Sequence, residues 1–174
     1  MRRRDLLIGA GSLAVLGGGA AVAFDVVGDD GVAVEPLELE TISAPGSDAG
    51  TATVPEVGRV SFVELFATWC TVCESMMPEL ASVHQSVGDD VQFVSVTNEP
   101  LGNTITVDDV ADWWRRHGGT WTVAADRDLE LTRRLDASGV PYSFVLDDRN
   151  RITWRHRGRT NAETIRTAIR AAAK

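Results

Sequence analysis

Lysine is almost missing from this chain: of 17 basic residues only Lys174 is not an arginine. Against them stand 25 aspartates and glutamates, for a formal charge of −8. Removing the three charges of Arg2, Arg3 and Arg4 takes the balance to −11. A surface of that sign repels phosphate backbones, so no nucleic-acid partner is expected. The lysine-poor, acid-rich composition fits adaptation to high salt or a GC-rich genome, and composition does not separate the two.

Cysteine is equally scarce, with Cys70 and Cys73 alone. A bond between them closes almost no loop, which excludes a scaffold held together by disulfides. Zinc would need two further ligands, and His84 and His117 lack metal-ligand spacing. What remains for the pair is redox chemistry or a soft metal. The hydrophobic share of 44 % is ordinary for a globular core, and 174 residues suit one domain with a leader.

One long stretch has no charge, the 19 residues from Leu6 to Phe24. It follows Arg2-Arg3-Arg4-Asp5-Leu6-Leu7, which resembles a twin-arginine export signal. Gly9, Gly11, Gly17, Gly18 and Gly19 weaken its hydrophobicity, and Ala21-Val22-Ala23 supplies a small-x-small cleavage site. A cleaved signal and a retained anchor both leave the rest of the chain outside the cytoplasmic membrane. Residues 1–24 are therefore read as signal or anchor, 25–35 as an acidic linker, and 36–174 as the folded domain.

Within the domain, Leu37 to Thr41 alternates as a short strand with Thr51 to Val54 as its hairpin partner. Val60 to Ala67 and Val91 to Thr97 are dense apolar runs that suit buried strands. Cys73 to Val87 carries Met76, Met77, Leu80, Val83 and Val87 at helical spacing. Val107 to His117 is a second helix, with Trp113 and Trp114 as packing residues. A strand at Thr122 to Ala125, a short helix at Leu129 to Leu135 and a strand at Tyr142 to Leu146 follow. Arg151 to Arg157 alternates, with Ile152, Trp154 and His156 on one face. A last helix runs from Thr160 or Asn161 to Ala173. Repeated β–α crossovers imply an α/β fold, a central mixed sheet with helices on both faces.

The chemistry sits where the first buried strand gives way to a helix. A helix start offers unpaired N–H groups and a positive dipole end, so Cys70 there is expected to ionise readily. Cys73, one turn in, is placed to resolve a mixed disulfide formed by Cys70. Trp69 is expected to be exposed beside the sulfurs. Glu64 is an anomaly, an acid among Val60, Phe62, Val63, Leu65 and Phe66. If buried, its pKa rises and it can take the proton of Cys73. If its arm reaches solvent it is an ordinary strand-end residue. Pro78 interrupts the helix and is read as structural.

These residues resemble a known family. Trp69-Cys70-Thr71-Val72-Cys73 is similar to the Trp-Cys-x-x-Cys motif of thioredoxins. With Ala67, Thr68 and Met77-Pro78-Glu79-Leu80 the segment resembles the TlpA/ResA-type exported thioredoxins. Gly139-Val140-Pro141-Tyr142-Ser143-Phe144-Val145-Leu146-Asp147 resembles that family's second motif, in which the proline is cis and faces the cysteines. The resemblance implies a thioredoxin fold over residues 36–174 and a thiol–disulfide oxidoreductase whose only redox group is the Cys70–Cys73 disulfide, without a cofactor. It implies that Trp69, Thr71, Val72, Val140 and Pro141 support substrate, with the Val140 backbone free to pair with a substrate strand. The family has an aspartate where Glu64 stands. Thr71-Val72 departs from its usual proline-bearing pair, so the direction of electron flow does not carry over. Partners implied are a protein disulfide, of the cytochrome c or terminal-oxidase assembly type, and a membrane dithiol donor; a monomer is expected.

The alternative is a copper-delivery module using Cys70, Cys73 and Met77. A peroxidase would want a threonine at an offset where Thr68 does not stand. Arg149, Arg151, Arg155, Arg157 and Arg159 form a basic run with His156. It reads as the solvated face of an edge strand or as a guide for an acidic partner.

Overall fold

The computed structural model describes residues 33–102 and 104–174. The leader and most of the acidic stretch lie outside the described residues. The fold nevertheless reaches back into the segment expected as linker. Ala33 bridges to Arg151, Val34 N–H donates to the Asn150 carbonyl at 2.9 Å, and the Val34 side chain is buried.

The described chain folds as β1 (Leu37–Thr41), β2 (Gly50–Val54), β3 (Val60–Phe66), α1 (Thr71–Val87), β4 (Val91–Thr97), α2 (Val107–Arg116), β5 (Thr122–Ala125), α3 (Glu130–Arg134), β6 (Tyr142–Leu146), β7 (Ile152–Arg157) and α4 (Ala162–Ala172). The strands form one sheet in the order β2-β1-β5-β4-β3-β6-β7. β3, β4 and β5 run parallel, while the β1–β5, β3–β6 and β6–β7 pairs are antiparallel. This is the mixed α/β sheet expected from the crossover pattern, in the thioredoxin fold that the motif resemblance implied.

β3 lies inside the sheet between β4 and β6, and all seven of its residues are buried. Alternation sends Val60, Phe62 and Phe66 into a core shared with α1, α2 and α4. Val63 and Leu65 go to the other face, where Leu131 and Leu135 of the α3 segment pack. Helices therefore cover both faces. On the larger side Phe66 stacks on Trp113 at 5.1 Å, and Trp114 meets Trp121 edge-on at 4.7 Å.

The expected alternation of β7 is broken. Val145 pairs with Trp154, but Leu146 pairs with Ile152, so a bulge inserts Thr153. Trp154 thus joins the α1 and α4 side while Ile152 packs on the opposite side. One inserted residue reverses the face of everything beyond it.

Candidate active site

The chain leaves β3 at Phe66 and turns through Ala67, Thr68 and Trp69 to Cys70. Cys70 N–H donates to the Ala67 carbonyl at 3.1 Å. Cys70 is the N-cap of α1, and its Sγ accepts from the Cys73 N–H at 3.1 Å. Cys70 thus stands at the helix start as expected, two residues ahead of the apolar periodicity that runs from Cys73, with sulfur in the capping role. The capping N–H and the positive helix end favour an ionised Cys70 once the pair is reduced.

Cys70 and Cys73 form a disulfide, with Cα atoms 5.2 Å apart. Cys70 keeps 6 % of its surface exposed and Cys73 none. The outer sulfur is the accessible one. Trp69 stands beside it 71 % exposed, and Val72 and Thr71 are exposed as well. Met77, the third sulfur of the copper alternative, is buried in the core beneath α1.

Glu64 is buried, so the reading in which its arm reaches solvent is wrong. Its register neighbours are Ser95 on β4 and Ser143 on β6, and alternation turns all three toward the α1 side. Ser95 Oγ donates to Glu64 Oε2 at 3.0 Å and in turn accepts from Trp121 Nε1 at 3.0 Å. Glu64 Oε1 and Ser143 Oγ have no partner among the described residues. Burial pushes the Glu64 carboxyl up to about 8, with the Ser95 hydrogen bond opposing. A carboxyl in that range lies close to the ordinary range of a thiol.

Two further residues shape the site and were missed by the sequence reading. Glu99, just beyond β4, is buried. It accepts from the Thr68 backbone N–H and the Thr68 hydroxyl, both at 2.8 Å, and from Thr97 Oγ1 at 3.1 Å. It fixes the loop that carries Trp69 and Cys70. The signal was positional: the carboxyl ends of adjacent parallel strands converge on one spot, where a polar residue has a function to serve. Ser143 is the other, hidden inside the motif that follows Pro141.

The Val140–Pro141 bond is cis. β6 begins beside the end of β3, since Tyr142 pairs with Leu65, and Val140 packs against the core cluster that contains both cysteines. The strand-to-helix turn and the Pro141 loop are thereby brought together. Gly158 N–H donates to the Pro141 carbonyl at 2.9 Å, which ties the end of β7 to the same loop.

With this geometry in place, similarity to known proteins becomes informative. The chain is 28 % identical over 98 residues to the thiol-disulfide oxidoreductase ResA of Geobacillus thermodenitrificans, covering 55 % of this chain and 52 % of that protein. It spans only about half of that relative's length. It is 27 % identical over 139 residues to the thiol:disulfide interchange protein HelX of Rhodobacter capsulatus, covering 79 % of this chain and 70 % of that one. A solved DsbF homologue from Corynebacterium diphtheriae superposes with a TM-score of 0.71 at 16 % identity, over 90 % of this chain and 97 % of that one, and supports the fold. The Redoxin family model matches residues 30–171, so the chain, with its cysteine pair at positions 70 and 73, belongs to the Redoxin family.

Proposed function

We propose that the protein reduces disulfides of other proteins outside the cytoplasmic membrane, cycling Cys70 and Cys73 between dithiol and disulfide. The observation that carries this reading is the Cys70 sulfur capping α1 with its partner one turn behind it. The Cys70 thiolate attacks one sulfur of the substrate disulfide, and the other leaves as a thiolate and takes a proton. The Cys73 thiol, deprotonated by the ionised form of Glu64, then attacks Cys70 Sγ and expels the bound substrate sulfur as a thiolate, which takes that proton from Glu64. Substrate gains two electrons and two protons while Cys70–Cys73 is oxidised. A membrane dithiol donor restores the pair by the reverse exchange.

Trp69, Thr71 and Val72 frame the outer sulfur, and Val140 with Pro141 offers the backbone edge for a substrate strand. The paired arginines ahead of a charge-free run support export, with the leader cleaved or kept as an anchor. Substrates of the cytochrome c or oxidase assembly type and a monomeric state complete the proposal. The arginine-only, acid-rich composition supports a high-salt setting; unchanged stability from low to molar salt overturns that part.

The deciding experiment is the reduction potential of the pair, measured alongside reduction of a protein disulfide. A value near ~−270 mV supports a reductase and one near ~−120 mV an oxidant. No exchange with any disulfide, or exchange that survives Cys70→Ser, overturns the reading.

A further inference from the structure

The basic run on β7 is left unused by this mechanism, and its two ends differ. Eight of the thirteen arginines among the described residues have a carboxylate within ion-pair distance, for example Arg127 on Glu40 and Arg151 on Asp147. Arg157 and Arg159 have none among the described residues, in a chain with 25 acids. Both flank Gly158, whose N–H is bonded to the Pro141 carbonyl.

They sit on opposite sides of that bond. A Cβ built on Gly139 would stand 3.3 Å from Arg157 Nη2, so this guanidinium covers the residue just before Val140. Arg159 Nη1 donates to Ser75 Oγ at 3.0 Å, which places its guanidinium against α1 shortly after Cys73. Ser75 is neutral, so neither cation meets a carboxylate among the described residues. Arg116, Arg149 and Arg155 also have no ion pair among the described residues; Arg116 faces α1 beside Thr71 and Glu74, close to Asp109, and no contact among the described residues ties Arg149 or Arg155 to the Pro141 loop or to α1.

We propose that Arg157 and Arg159 form a cationic clamp that selects substrate proteins with acidic residues flanking the reacting cysteine. The inference rests on the thiol-exchange reading and adds the substrate class. A substrate strand laid along Val140 advances ~3.3 Å per residue, so carboxylates within about two positions of its cysteine come within reach of the clamp. The chain as a whole repels acidic partners, and two uncompensated cations at the rim reverse that sign locally.

The test uses the reduced full-length protein and three synthetic disulfide peptides that differ only in flanking Asp, Ser or Lys. At low ionic strength the Asp peptide is expected to react about ten-fold faster than the Lys peptide, with Ser between, and ~0.5 M salt to compress the spread. Changing both Arg157→Ser and Arg159→Ser should abolish or invert the order and leave the Ser peptide within about two-fold. The Arg149→Ser, Arg155→Ser pair should preserve the order. Equal rates for all three peptides, a faster Lys peptide, or equal loss of order in both double variants overturns the clamp. Failure of the Ser peptide to react at all overturns the thiol-exchange reading itself.

Discussion

The carboxylate of Glu99 receives both donors of Thr68, its backbone N–H and its hydroxyl, each at 2.8 Å. The two residues are 31 positions apart, yet the parallel pairing of β3 with β4 sets them side by side at the lip of the site. Glu99→Ala leaves the Thr68 N–H and two hydroxyls without their acceptor. The expected loss is about 2–3 kcal/mol in denaturant unfolding. Glu99→Gln keeps one acceptor oxygen and should lose less. Equal stability of wild type and the alanine variant would show that the loop needs no such anchor.

Glu64 makes the fold sensitive to pH in a defined window. The folded carboxyl holds its proton until about 8, while the unfolded one releases it near the ordinary 4.5. Between those values the native state binds more protons, so stability falls as pH rises, by up to about 1.4 kcal/mol per unit. Glu64→Gln should flatten that slope. It should also remove an inflection near pH 8 from the rate of disulfide reduction. A variant with an unaltered pH profile of reduction would remove Glu64 from proton transfer.

The unequal exposure of the two sulfurs predicts unequal variants. Cys73→Ser leaves Cys70 free to attack but not to be released, so a covalent adduct with a disulfide substrate should accumulate and be seen by intact mass. Cys70→Ser leaves only the fully buried sulfur and should form none. Adducts in the opposite pattern would reverse the roles.

Gly46, in the loop between β1 and β2, adopts φ +76°, and a Cβ there would lie 2.0 Å from the Thr120 carbonyl oxygen. Backbone cannot step aside as a side chain can. Gly46→Ala should cost about 3 kcal/mol in thermal or denaturant unfolding. The reduction potential of the pair should stay unchanged. A variant as stable as wild type would show that the two loops part freely.

Much of this arrangement was readable before any coordinates. Val91–Thr97, Thr122–Ala125 and Tyr142–Leu146 stand as strands where apolar runs placed them, because a strand buried on both faces needs no alternation to announce itself. The cysteine pair was legible from spacing alone, and Glu64 from being an acid in such a run. The helix start at Cys70 was legible too, but not that its sulfur caps the helix. The Val145/Leu146 bulge was not, since one inserted residue leaves no compositional trace. Glu99 was hidden because its partner is remote in sequence and its own segment reads as an ordinary polar loop.

The chain of hydrogen bonds from Trp121 through Ser95 to Glu64 has a practical consequence. It places an indole, the strongest natural fluorophore in the chain, two bonds from the buried acid. Loss of the Glu64 proton changes the electric field at that ring. The emission of Trp121, one of five tryptophans in the chain, is therefore coupled to the charge state of Glu64.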